Sequence, residues 1–165
     1  MKHYNAPWGK PLIVMSVLAT LLCLGFALGL VWHGHSVPAL LLLAVIIGSA
    51  PFTIRGYTIT PDAILVHRLF WATRLPRAGL QSAELSPGAM CRSMRTFGNG
   101  GLFSFTGFYH NNPLGVYRAF VTDLRRTVVL HYAKRTVVIS PAAPEEFVHD
   151  LALPGPGAQP ANASP

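Results

Sequence analysis

Phe97 to Gly115 reads FGNGGLFSFTGFYHNNPLG, and no other stretch of the chain gathers so many residues with chemical potential. Glycine clusters cradle phosphates when their backbone N–H groups open a helix. Here no Lys-Ser/Thr follows Gly98-Asn99-Gly100-Gly101, and the preceding residues do not form a βα unit. Nor is this a dinucleotide fingerprint, because Phe103 stands where the third glycine belongs. Asn-Gly is instead a hairpin signal, since both residues tolerate positive φ, so a tight turn between two strands is predicted at these glycines.

The side chains around that turn supply charge and aromatic surface. Arg92 and Arg95 precede it, Arg118 follows, and Arg74 and Arg77 are further candidates for the same patch. Arginines beside a turn can hold a lipid phosphate through charge-assisted forks, or form a solvated basic face near an anionic leaflet. Phe103 and Phe105 alternate and so would share one strand face. Phe108 and Tyr109 follow Gly107 in what reads as a second turn, closed by Asn111-Asn112-Pro113. These aromatics pack the core of a small domain or contact membrane or a partner, and both readings stay open. The candidate contact set is therefore Arg92, Arg95, Phe103, Phe105, Phe108, Tyr109 and Arg118.

Catalytic and metal chemistry find little support. His33-Gly34-His35 offers two imidazoles with no carboxylate or thiol beside them, too few ligands for a closed zinc site. Ser104, His110 and Asp123 can be named as a trio, but triads are recognised by geometry. No paired carboxylates stand out among six acidic residues, and Cys23 and Cys91 lack CxxC spacing, as reduced, non-ligand cysteines do. The expectation is no enzyme, no cofactor, no metal and no small-molecule substrate. Thirteen Lys and Arg give a formal charge of +7, but no nucleic-acid-binding motif accompanies it.

Composition points to the elements that position these residues. The chain is 51% hydrophobic and only 12% charged, about half the usual ~25% of soluble domains. PLIVMSVLATLLCLGFALGLVW, residues 11–32, carries no charge, and its length would reach ~33 Å against a hydrocarbon core of ~30 Å. Trp8 and Trp32 flank it as interfacial aromatics would. A second apolar run covers 37–54 and carries Pro51, so its end should bend or fray. The first run exceeds the ~7–15 residues of a signal-peptide core, and no A-x-A site follows it. Residues 11–54 are thus expected to form a transmembrane helical hairpin. Lys2 and Lys10 on one flank and Arg55, Arg68, Arg74 and Arg77 on the other place both termini in the cytoplasm of a multi-pass inner-membrane protein. Gly25 and Gly29 form a GxxxG in the first span.

From Arg55 the pattern becomes that of short strands. YTIT, AILVHRLF, two segments within ATRLPRAGLQSAELS, MCRSMRTF, GLFSF, GVYRAFVTD, TVVLHY and TVVIS read as seven or eight strands, all antiparallel, in a sandwich or barrel. PEEFVHDLA carries helix-start signals, with Phe147, Val148 and Leu151 on one stripe. Residues 154–165 have the composition of a disordered tail.

FGNGGLFSFTGFYHNNPLGVYRAFVTD followed by TVVLHYAKRTVVISPAAPEEFVHDL resembles membrane-anchored bacterial pleckstrin-homology-like (PH) proteins. In that family a "GnGGlfg…G.f…lG.y.ayvTd" segment precedes "viSP.dPe.Fv". The resemblance covers roughly Tyr57 to Leu151. It implies a PH-like domain over 55–153: about seven antiparallel strands in a bent sheet, closed by the C-terminal helix. It marks a fold and not a reaction. One departure is Ala143, where an Asp often caps that helix. The function expected is a membrane-anchored binding or scaffold domain recognising a protein partner, a lipid headgroup or a second copy of itself at the bilayer. The alternative is an accessory subunit of a membrane enzyme or transporter.

Overall fold

Residues 1–151 are described by the computed structural model. The first apolar run forms α1 (Lys10–Trp32), with Pro11 in its first turn, where a missing N–H costs nothing. Gly34, at φ +79, reverses the chain, and α2 (Ser36–Ser49) packs back on α1. The second run does not continue as helix to Ile54. Pro51 cannot extend the hydrogen-bond ladder, Ala50–Phe52 tighten into a 3-10 turn, and strand begins at Ile54. At 14 residues α2 spans ~21 Å against ~34 Å for α1. Among the described residues α1 alone is long and apolar enough to cross a membrane.

Apart from a closing helix, the remaining described residues form ten strands: β1 (Lys2–Asn5), β2 (Ile54–Ile59), β3 (Ala63–Arg68), β4 (Ala72–Pro76), β5 (Leu80–Leu85), β6 (Met94–Gly100), β7 (Phe105–Asn111), β8 (Gly115–Val121), β9 (Val128–Tyr132) and β10 (Arg135–Ile139). They make a four-stranded sheet, β1-β2-β3-β4, and a six-stranded sheet, β5-β9-β10-β8-β7-β6. The expected count of about seven is therefore exceeded, and the all-antiparallel expectation fails at one place. After β8 the chain crosses over at 122–127 and leaves a strand-wide gap. The tight β9–β10 turn then folds β10 into that gap, parallel to β8.

No strand is legible before the first apolar run, yet β1 pairs with β2, Asn5 opposite Gly56. Ala6 N donates to Arg55 O at 3.1 Å and Gly9 N to Thr122 O at 2.9 Å. A Cβ on Gly9 would stand 2.7 Å from Asp123 Oδ1 and 3.0 Å from Asp123 Cα, so a side chain here would have to push Asp123 aside. The helical excursion thus leaves and re-enters the sheet at neighbouring positions.

Between the sheets lie Ile54, Tyr57, Val66, Phe120, Leu130, Ile139 and, from α3 (Pro144–Asp150), Phe147. As the Ala143 departure implies, no side chain caps α3 at its N-terminus. The other end is held by Arg77, whose Nη2 donates to Leu151 O at 2.7 Å. Lys2 and Tyr4 both bond Asp150, tying β1 to the helix, and hold its carboxyl below the usual range.

A buried polar hub links the two sheets. Tyr57 Oη donates to Phe120 O at 2.6 Å and accepts from Ser140 N at 3.2 Å. Ser140 Oγ accepts from Thr122 N at 2.8 Å and Asp123 N at 3.2 Å. Burial pushes the Tyr57 phenol up to about 12. Ser140→Ala leaves these N–H groups without their acceptor and is expected to cost ~1–3 kcal/mol, measured by urea unfolding of the detergent-solubilised chain. A midpoint indistinguishable from the parent would show that the hub holds nothing together.

Candidate functional site

The β6–β7 hairpin is built around two glycines. Gly98 and Gly107 face each other at φ +117 and +138. A Cβ on Gly107 would lie 2.1 Å from Phe97 O, and one on Gly98 2.3 Å from Thr106 O. The predicted Asn99-Gly100 turn is accordingly displaced: both residues lie in β6, and the chain reverses over Gly101–Ser104. Asn99 still organises the reversal, its Oδ1 accepting from Leu102 N at 3.0 Å and its Nδ2 donating to Leu102 O. Phe103 adopts φ +64 within the turn, so it does not share a strand face with Phe105.

That turn grips the start of α1. Phe103 N donates to the buried Ser16 Oγ at 3.0 Å, which in turn donates to Gly101 O at 3.0 Å. The Phe103 ring sits 6.3 Å from Trp8, and Ser104 Oγ donates to Phe52 O at 3.0 Å. Phe108 and Tyr109 lie inside β7, and the second turn falls later, at 112–114. Tyr109 is buried, stacked on Tyr117 with its hydroxyl donating to Asn99 O at 2.7 Å; it belongs to a second core. Phe105 packs at the margin of the same cluster. Arg92 is exposed on the β5–β6 connection and stands apart from the other arginines of the expected set.

Arg95, Phe108 and Arg118 of that set do converge. They line a groove of about 600 Å³ together with Arg68, Ser49, Phe52, Phe97, Leu102 and the glycine pair. Arg95 runs over Gly100, where a side chain would meet its guanidinium at 2.6 Å. Arg118 lies 4.8 Å from the Phe120 ring centroid and 5.9 Å from that of Phe108.

Arg68 was not anticipated in this role. It is 7% exposed, and Nε and Nη1 have no hydrogen-bond partner among the described residues. Three aromatic rings surround it instead, Phe52 at 5.5 Å, Trp71 at 5.6 Å and Phe120 at 5.4 Å. None of the chain's six acidic residues lines the groove. Burial, then the like charge of Arg118, push the Arg68 guanidinium below its ordinary pKa. The signal that could have found it is parity: Ile64 and Val66 are fully buried, so Arg68 continues the inward face of β3.

Such a groove presents forked N–H donors against aromatic walls, which suits an oxyanion and supplies no general acid or base. The Ser104 hydroxyl also meets Thr106 Oγ1, and Asp123 Oδ1 accepts from Arg125 N, so neither is turned to His110. Among the described residues no three metal-ligating side chains come together. A family model described as a bacterial PH domain matches residues 55–153. No curated protein and no solved structure matches the chain.

Proposed function

The chain belongs to the bacterial PH domain family, and from that membership we propose a membrane-anchored, non-catalytic binding module whose ligand site is the arginine groove. PH domains are in general binding modules, and the domain's two sheets with their closing helix fit that role. The observation that carries the reading is the groove's position. Ser49 and Phe52, where the apolar helices end, form one wall, and strands of the domain form the rest.

Anchoring draws on α1. Leu18, Leu21, Leu22, Phe26, Leu28 and Val31 stay exposed along it, whereas the core helix of a soluble domain would bury them. Because β1 and β2 are neighbours, an excursion through the bilayer would return to the side it left, in keeping with Lys2, Lys10 and Arg55 as cytoplasmic charges. The accessory-subunit alternative rests on Gly25 and Gly29, which meet no described neighbour and leave that face of α1 open to another helix.

Cys91 is exposed on the domain and Cys23 lies within α1, which makes the test direct. The chain should stay in the membrane pellet after alkaline carbonate. Cys91 should react with a membrane-impermeant maleimide in inside-out vesicles and not in spheroplasts. Release by carbonate would remove the anchor, and labelling in spheroplasts would reverse the orientation.

A further inference from the structure

We propose that His3, Thr58 and His67 form an acid-sensitive latch: neutral, they clasp β1 to its sheet, and protonated they release it. None of the three lines the arginine groove, so the latch is separate from any ligand held there.

Both imidazoles address one oxygen. His3 Nδ1 lies 3.0 Å and His67 Nε2 2.8 Å from Thr58 Oγ1, with the ring centroids 5.7 Å apart. The residues come from β1, β2 and β3, so the row stitches across three neighbouring strands. Gly56 makes the row possible. A Cβ there would meet His3 Cε1 at 2.7 Å, so the ring leans over bare backbone towards His67, which stands opposite that glycine. Glycine weakens a strand interior, and its use here marks the close approach.

Hydrogen-bond chemistry makes the row sensitive to protons. With both rings neutral, one ring N–H donates to the hydroxyl and the hydroxyl donates to the other ring nitrogen. With both protonated, each of these nitrogens is a donor. The hydroxyl proton then loses its acceptor, and two cations face each other across one oxygen. Burial, and then the like charge of His3, hold the His67 imidazole below its ordinary pKa. Release of β1 would let it return towards ~6.5. The released state therefore binds more protons, and the clasp, intact above that value, is lost as pH falls below it.

Nothing nearby offsets this charge. The charged side chains that β2 and β4 bring alongside are cations, Arg55 beside Gly56 and Arg74 opposite Leu65, and both are exposed. On β3 the next residue is Arg68, turned to the buried side. Lys2 and Tyr4 take the other face of β1 and bond Asp150, whose depressed carboxyl stays ionised where histidines titrate. His149, 3.9 Å from that carboxylate, would tighten this side on protonation. The loosening belongs to His3 and His67. Its consequence is mechanical: β1 leads into α1 and covers the edge of β2, so release bares that edge and slackens the tie between the apolar helices and the domain.

The experiment is hydrogen–deuterium exchange of the full chain in neutral detergent, read by mass spectrometry on a peptide covering residues 2–8. It compares about pH 7.5 with about pH 5.5, on either side of the ordinary histidine pKa. Protection factors divide out the pH dependence of the chemical exchange rate itself. Protection in β1 is expected to fall about ten-fold or more at the lower pH, while β8 and β10 keep theirs. His67→Gln should hold β1 equally protected at both values, because glutamine keeps a hydrogen-bonding end and cannot take the proton. His3→Gln, at an exposed position that leaves the core intact, should do the same. His131→Gln, on β9 of the other sheet, should respond as the parent does. Unchanged protection of β1 in the parent, or an acid response that survives in the His3 and His67 variants, would overturn the latch. An equal loss in β8 and β10 would make the response global acid unfolding and overturn it too.

Discussion

Gly107→Ala is expected to eliminate the folded domain. The new Cβ would sit 2.1 Å from Phe97 O and 2.8 Å from Gly98 Cα, both backbone atoms that no rotamer change can move aside. At φ +138 the residue also occupies a region that side chains avoid, itself a cost of ~1–3 kcal/mol. Against a total stability of ~5–15 kcal/mol, separating the hairpin on top of that strain leaves little margin. The hairpin cannot yield locally, because β7 pairs along its whole length with β8, which carries Phe120. We expect no monodisperse peak in detergent size-exclusion chromatography and loss of cooperative melting. Gly115→Asn makes the contrast: φ is +64 there, nothing lies within 4 Å, and Asn tolerates that conformation. A Gly107→Ala chain that melts like the parent would mean the strands cross farther apart than this contact requires.

Phe147→Ala is the second large effect, expected at ~3–5 kcal/mol by urea unfolding in detergent. The ring is fully buried, edge-on to Tyr4 at 5.1 Å and to Tyr57 at 6.4 Å. Its removal opens a cavity between β1, β2 and the helix that closes the sheets. A helix of seven residues has little stability of its own, and with Ala143 at its N-cap it lacks the side-chain bond that usually contributes ~1 kcal/mol. Packing must therefore hold it. A loss below ~1 kcal/mol would show that the Arg77 bond at Leu151 and the acidic first turn secure the helix without the ring.

What could be read from the residues divides by range. The charge-free run of α1, the alternating strands around Leu65 and Leu130, and the apolar stripe of α3 are local patterns, and each appears near its expected place. The elements that escaped depend on distant partners. KHYN is too short and polar to announce a strand, and becomes one only against β2. β10 is parallel to β8 because of where a crossover lands, and no local spacing records that. At the hairpin a local rule lost to a tertiary one: Asn-Gly would turn, but the Gly98–Gly107 approach moves the reversal to Gly101–Ser104. Within the groove, Arg95, Phe108 and Arg118 were legible because they cluster near one hairpin. Arg68 stands far upstream, and its importance comes from the burial that only the folded sheet imposes.

The pairing of β1 with β2 also sets a clock. Residues 2–5 are synthesised before both helices, yet their partner ends at Ile59 and emerges only after both helices have been made. At ~5–20 residues per second that is a delay of some seconds. Through it β1 waits as an unpaired strand, and its eventual docking brings Tyr4 onto Phe147, near the end of the described chain. This strand is thus among the last pieces to settle. A folding reporter placed on β1 would therefore respond not when β1 is made but once Phe147 is in place.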